Sequence, residues 1–282
     1  MKIRYLLIIF IFVFIIAKTD NVYAKAYFTT KNGYSLTKEE YDNLSSVFSP
    51  TTISILSNEA LDLLKNDHTL SKKEDTKYYR FDEWKDNLGN VILSTNIEVD
   101  KETAETFHND FDRSGSDTHT TSMKSLTLQV VQNDQSVRVA TLTNTWLSIP
   151  STKSFDVIGL RINNTASYLT LSSISGVQIH DGITINYYGN GSNTKTSNSK
   201  HVGISMNIVN NVTNSLQNQL TVVYLAAQGL DAYGAYQHAK SDVTLSQSQN
   251  YSFSANGKGG VFKFANSVNP KYDDMQGVHV NF

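Results

Sequence analysis

Val177-Gln178-Ile179-His180-Asp181-Gly182-Ile183-Thr184-Ile185-Asn186-Tyr187 decides the fold class of this chain. Apolar residues alternate at 177 and 179, pause at Asp181-Gly182, and resume at 183, 185 and 187. A period of two puts alternate side chains on one face of a strand, and Asp-Gly accepts the positive φ angles of a tight hairpin turn. The stretch therefore predicts two antiparallel strands joined by a two-residue turn. The same period recurs on both sides of it. Leu126, Leu128 and Val130 mark one strand, Val137 and Val139 the next, and Ile158, Leu160 and Ile162 a third. Val202, Ile204, Met206 and Ile208 follow, then Leu220, Val222 and Tyr224, then short strands through Phe253, Phe262, Phe264 and Val278. So many strands without intervening helices predict a mainly β chain. The expected architecture is a C-terminal antiparallel β-sandwich, jelly-roll-like, over residues 121–282, with a closed barrel as the alternative that shows the same period.

Composition separates this region from the one before it. Residues 25–120 hold 18 acidic and 11 basic side chains, whereas residues 121–282 hold 7 acidic ones, all Asp, and 10 basic ones. The second region also carries 12 of the 15 glycines, and a chain without Glu but rich in Gly favours strands and turns over helices. The polar run Asp112-Arg113-Ser114-Gly115-Ser116-Asp117 marks the expected boundary. A small N-terminal α+β unit is expected over 25–115, with two helices and one hairpin. Thr37-Lys38-Glu39-Glu40 has capping-box spacing and opens the first helix, which Pro50 should end. The second starts near Ser57, and strands at 77–84 and 91–99 flank the turn Asp86-Asn87-Leu88-Gly89-Asn90.

Residues 1–24 read as a signal peptide: Lys2 and Arg4, an apolar run from Leu6 to Ala17, then Val22-Tyr23-Ala24. The expected product is secreted and begins at Lys25 after cleavage near Ala24; the alternative is a membrane-anchored chain held by an uncleaved segment. There is no cysteine, which removes disulfides, thiol nucleophiles and thiolate metal sites, so stability has to come from apolar burial. A chain beginning at Lys25 carries a formal charge of −4 and has no basic stripe, and nucleic acid is not an expected partner.

Three stretches carry candidate sites. Tyr187 and Tyr188 enter a Ser/Thr/Asn-rich run, expected to be a long exposed loop where aromatic faces stack on sugar rings and amides bond their rims. Asp231, Tyr233, Tyr236 and His238 form a second candidate, in which a bulge at Gly234 would gather the aromatics towards one rim. Asp110, Asp112, Ser114 and Asp117 match the opening of a calcium loop, making Ca²⁺ the one candidate cofactor, although Thr121 stands where the closing Glu belongs. No recognised catalytic motif is present. The expectation is an exported, non-enzymatic protein that binds a cell-surface ligand, carbohydrate or lipid. A pore-forming or membrane-active toxin is the alternative, since Thr121 to Ser173 has the amphipathic period of an inserting hairpin; a secreted hydrolase without a recognisable motif is a further one. The sequence does not fix the oligomeric state.

Overall fold

Asp181 and Gly182 make a hairpin turn with φ of 47° and 81°, and the strands on either side pair from His180↔Ile183 outward. The turn is held from outside as well. The Asp181 carboxylate accepts the backbone N–H groups of Thr213 (2.8 Å), Asn214 (2.9 Å) and Ser215 (2.9 Å), which pulls its pKa down to about 2.

The computed structural model describes residues 26–107, 118–134, 136–163, 166–227, 229–254 and 260–282. The leader and the calcium-loop candidates Asp110, Asp112, Ser114 and Asp117 lie outside the described residues. A ribbon of β1 (Phe28–Thr29) and β2 (Ser35–Leu36) leads to helices α1 (Lys38–Ser45), α2 (Pro50–Ile55) and α3 (Asn58–Leu64). Next come β3 (Ser71–Lys85), β4 (Val91–Val99), α4 (Lys101–Thr106), β5 (Thr118–Gln132), β6 (Val137–Trp146) and β7 (Phe155–Ile162). They are followed by β8 (Ser167–Tyr168), β9 (Ile174–His180), β10 (Ile183–Tyr188), β11 (Thr194–Ser197), β12 (His201–Asn207), β13 (Leu216–Leu225) and β14 (Asp231–Gln237). The chain closes with α5 (Leu245–Ser248), β15 (Tyr251–Phe253), β16 (Phe262–Phe264) and β17 (Gln276–Asn281).

Besides the two-stranded pairs β1-β2 and β15-β16, the described residues form two large antiparallel sheets, one in the order β10-β9-β13-β6-β5-β3-β4 with β8 beside β13, the other in the order β11-β12-β7-β14-β17. Leu126, Leu128, Leu142, Leu220 and Val222 of the larger sheet meet Ile158, Leu160, Ile204, Met206 and Tyr236 of the smaller in one buried cluster. Each sheet keeps its own edge strands, so the arrangement is a sandwich and not a closed barrel.

Both outer faces are covered in part. Val131, Val137, Val139 and Val223 turn outward from the larger sheet and are buried under Leu44, Phe48, Ile53, Leu61 and Leu64 of the helical segment. On the smaller sheet Gly159, Gly203 and Ala235 leave a shallow trough, and Tyr251, Phe262 and Phe264 of the β15–β16 hairpin fill it. A Cβ at Gly159 would lie 2.2 Å from Phe262 Cζ and 2.8 Å from the Val202 carbonyl oxygen.

Three features differ from the sequence expectations. Thr37 does cap α1 with the reciprocal Glu40 bond, but Pro50 opens a helix instead of ending one: it stands first in α2 behind the Ser49 cap, where its missing N–H costs nothing. The described N-terminal part therefore has three helices before the first long strand. Secondly, the hairpin β3–β4 does not stay with those helices. All fifteen residues of β3, Ser71 to Lys85, pair with β5, so the ladder runs across the boundary expected at 115–121 and the hairpin belongs to the sandwich. The long polar loop expected after Tyr188 is shorter than anticipated, because Thr194 to Ser197 pair with His201 to Ile204 as edge strand β11.

Gly159→Ala should destabilise the chain by about 1–3 kcal/mol, because the added methyl overpacks a filled interface with backbone on one side. Urea unfolding followed by tryptophan fluorescence reads the change; an unaltered midpoint contradicts the packing described.

Candidate functional site

Strand β14 carries Asp231, Tyr233 and Tyr236, and its register is unbroken on both sides: Tyr233 faces Arg161 and His279, and Tyr236 faces Ile158 and Gln276. There is no bulge at Gly234. The glycine is there because Leu142, reaching across from the larger sheet, would lie 2.4 Å from its Cβ. Tyr233 and Tyr236 therefore point to opposite faces, and the expected grouping of Tyr233, Tyr236 and His238 on one rim does not form.

Tyr236 and His238 point inward, where the apolar core gives way to a sealed polar cluster around Asp156 of β7. The Asp156 carboxylate accepts from the Tyr236 hydroxyl, from His238 Nδ1 (3.0 Å to each oxygen) and from the Ala239 N–H (2.9 Å). Tyr236 in turn accepts from Trp146 Nε1 (3.1 Å) and from Asn218 Nδ2 (3.2 Å), and Gln178 Nε2 donates to Asn218 (2.8 Å). Burial together with the Asp156 charge pushes the Tyr236 phenol well above its ordinary range, which keeps it a hydrogen-bond donor. Burial works against a charged His238, but the neighbouring carboxylates, Asp156 foremost, prevail and raise its pKa. Phe81 and Trp146 stand edge-on to the imidazole at 5.2 and 5.0 Å. Asp156 and His238 are both fully buried, so this acid–imidazole–phenol chain offers no surface to a ligand.

The outward face of β14 is different. Arg161, Tyr233 and His279 stand side by side on β7, β14 and β17, as their direct cross-strand pairing requires. The Arg161 guanidinium lies 4.5 Å from the Tyr233 ring centre, and the His279 ring stacks on Tyr233 at 4.2 Å and 20°. Asp231 accepts from His279 Nε2 at 2.6 Å, and Asp75 accepts the His279 backbone N–H at 3.0 Å. Among the described residues the aromatic hairpin stops short of this edge. What remains is a groove of about 390 Å³ with a floor of Gly234, Ala235 and Gly277, bounded by Tyr233, His279 and Val261 and by Asp75 and Lys77 of β3. A larger opening, about 670 Å³, lies where Lys85, Lys153 and Lys240 approach Asp242, but no aromatic residue lines it.

Tyr187 and Tyr188 lie elsewhere, on β10 at the far edge of the larger sheet. Tyr187 packs against the core and burial raises its phenol to about 12, while Tyr188 is exposed. Of the six residues expected to bind ligand, only Tyr233 lines the groove, with Asp231 next to it through its bond to His279. His279, Asp75 and Lys77 were not expected there, nor was the buried Arg161 that packs on Tyr233; the pairing register that unites them is not written in any one segment. Among the described residues no cluster of three His, Asp or Glu side chains is arranged to hold a metal ion. Nor is any helix among them long and apolar enough to cross a membrane.

No protein-family model matches the chain, and no curated protein matches it. Among solved structures it is similar to the KRT10-binding region domain of the pneumococcal serine-rich repeat protein PsrP, with 13% identity, a TM-score of 0.29, and 59% of this chain and 87% of that one covered. It is also similar to the C-terminal domain of the Streptococcus agalactiae AgI/II polypeptide BspA, at 9% identity and a TM-score of 0.24, over 57% of this chain and 79% of that one. The C-terminal domain of the Streptococcus pyogenes antigen I/II-family protein AspA gives 10% identity and 0.24, over 57% and 80%. These scores are too low to carry a fold or a ligand from one chain to the other.

Asp156→Ala should cost about 3–5 kcal/mol, since it strands a buried imidazole, a phenol and a backbone N–H together. His238 also sets a pH dependence. Its pKa is raised in the folded chain, so its stabilisation is complete below the unfolded value of about 6.5 and is lost as pH rises through the higher folded value. Thermal melts of the wild type should fall across that window, and His238→Gln should flatten the slope; parallel curves for the two proteins contradict the assignment.

Proposed function

We propose that the protein is an exported, non-catalytic binding protein that takes a cell-surface glycan in the groove beside β17. The observation that carries this reading is the pairing of a stacked Tyr233–His279 wall with a floor that has no side chain larger than methyl. A pyranose ring presents C–H-rich faces, which such a floor and wall accommodate, and equatorial hydroxyls, which charged groups at the rim can bond. Asp75 and Lys77 supply an acceptor and a donor at that rim, and Asp231 braces His279 beside it. The shape also weighs against lipid, because the groove is short and edged by charge. Export follows from the leader, and cell-surface carbohydrate is the ligand class an exported protein of this polarity meets.

The toxin alternative gains no support from the strands it relied on. Residues of Thr121 to Ser173 supply β5, β6 and β7, which lie inside the two sheets with most side chains buried; releasing them as a hairpin would dismantle the core.

A glycan array probed with the full chain, followed by calorimetry on the best binder, tests the reading. Tyr233→Ala and His279→Ala should each weaken binding at least tenfold, roughly 1.4 kcal/mol, with unfolding midpoints close to wild type. Tyr188→Ala, on the other sheet, should bind as wild type. An array without a binder, or full affinity in Tyr233→Ala, removes the groove from consideration.

A further inference from the structure

Lys124 and Asp273 meet where water does not reach. Lys124 projects from the inner face of β5 in line with Leu126 and Leu128, and Asp273 lies between the 3-10 turn Asn269–Lys271 and β17. Their side chains are 1% and 0% exposed, with Lys124 Nζ 3.0 Å from Asp273 Oδ2. Three rings enclose the amine, with centres at 4.8 Å (Trp146), 5.2 Å (Tyr236) and 5.6 Å (Phe81). The carboxyl is fixed from several sides. Oδ1 accepts the His238 N–H at 2.8 Å, Oδ2 accepts Asn96 Nδ2 at 2.8 Å, and the Asp273 carbonyl accepts Gln237 Nε2 at 2.9 Å.

As a plain ion pair this is a poor investment in stability, because removing two charges from water costs about as much as their attraction returns. As a pair of reactants it is well prepared. Amine and carboxyl are held in direct contact, with water excluded from both. Burial raises the Asp273 pKa despite Lys124 and His238, which brings the neutral acid within reach. The chain has no cysteine, so no disulfide can join distant strands.

We propose that Lys124 and Asp273 condense into an intramolecular isopeptide bond that ties β5 to the segment entering β17. A proton passes from the ammonium to Oδ2, leaving a neutral amine whose lone pair attacks Asp273 Cγ. The C–N bond forms while Oδ1 takes up negative charge against the His238 N–H. A second proton from the nitrogen reaches Oδ2, the C–Oδ2 bond breaks, and water leaves; Oδ1 returns to a carbonyl and one hydrogen stays on the amide nitrogen. Ammonium and carboxylate thus become amide and water, with nothing oxidised or reduced and no co-reactant. Trp146, Tyr236 and Phe81 exclude the water that would reverse the step. The bond joins residues 149 positions apart and closes most of the sandwich into one covalent loop.

The intact mass of the folded full chain, with its first residue established by sequencing, is the test. It should be lighter than the sequence mass by one water, and trypsin should fail to cut after Lys124 and release a branched peptide containing both Lys124 and Asp273. Lys124→Arg and Asp273→Ala should each restore the full mass and lower the melting temperature by about 10 °C, as expected for losing a long-loop cross-link. A full-mass wild type cleaved after Lys124 overturns the proposal and leaves an ion pair. A water loss mapped to a linear peptide, such as one from cyclisation at Asp181-Gly182, overturns it equally. The branched peptide is decided on the wild type alone, so a variant that fails to fold does not blunt the test.

Discussion

Each of the two sheets has two faces, and neither can leave the outer face of its central strands bare. In β6 nearly every residue is buried, inner and outer positions alike, and β13 is the same. A strand of that kind is stable only between two layers, and the rest of the structure follows from it. Helices α1 to α3 are short and would be marginal alone; they fold because Val131, Val137, Val139 and Val223 offer them a surface to cover. The β15–β16 hairpin does the same for the smaller sheet, with the difference that the sheet yields side-chain volume there. Gly159 and Gly203 give up their own side chains so that Phe262 and Tyr251 can sit against the backbone.

The core between the sheets obeys a second constraint at one end. Leucines, valines and isoleucines fill most of it, yet Asp156, His238, Lys124 and Asp273 are buried at its margin. Isolated, any of these charges would be intolerable. They persist as two linked sets: His238 gives its ring nitrogen to Asp156 and its backbone N–H to Asp273. One residue, through its ring and its backbone, thereby holds both carboxyls. That connection accounts for the placement of β14 and the segment before β17 more directly than apolar packing does, because hydrogen bonds have direction and hydrophobic contact does not.

Local chemistry was readable from the sequence, and long-range chemistry was not. The 177–187 hairpin follows from a period of two around Asp-Gly, and the Thr37 cap from three-residue spacing; both depend on neighbours within a turn. Gly234 shows where this stops. A glycine in a strand signals either a bulge or a close neighbour, and the neighbour, Leu142, belongs to the other sheet. Pro50 is ambiguous in the same way, since proline terminates one helix and begins another with equal ease. The composition break near 115 is real as composition, but the β3–β5 ladder ignores it: Lys72 and Glu74 are exposed polar residues on an outer part of a strand, not the mark of a separate unit. Tyr233 was identifiable by type, whereas Arg161 and His279 join it only through register.

The groove is a consequence of how the smaller sheet is covered. An aromatic hairpin needs a trough of small residues, and Gly277 and Ala235 continue that trough to the edge strand. Among the described residues, however, the cover ends at Gly260 and Val261. Beyond it the small-residue floor lines the groove, and of the row the ladder brings together, Tyr233 and His279 flank it while Arg161 stays buried against Tyr233. Had the trough been built from valines, the same edge would present a flat apolar surface with no depth. The residues that let the third layer seat itself also hollow out the site beside it, so a larger side chain at Gly277 should close the groove without reaching the core, whereas one at Gly159 disturbs the core first.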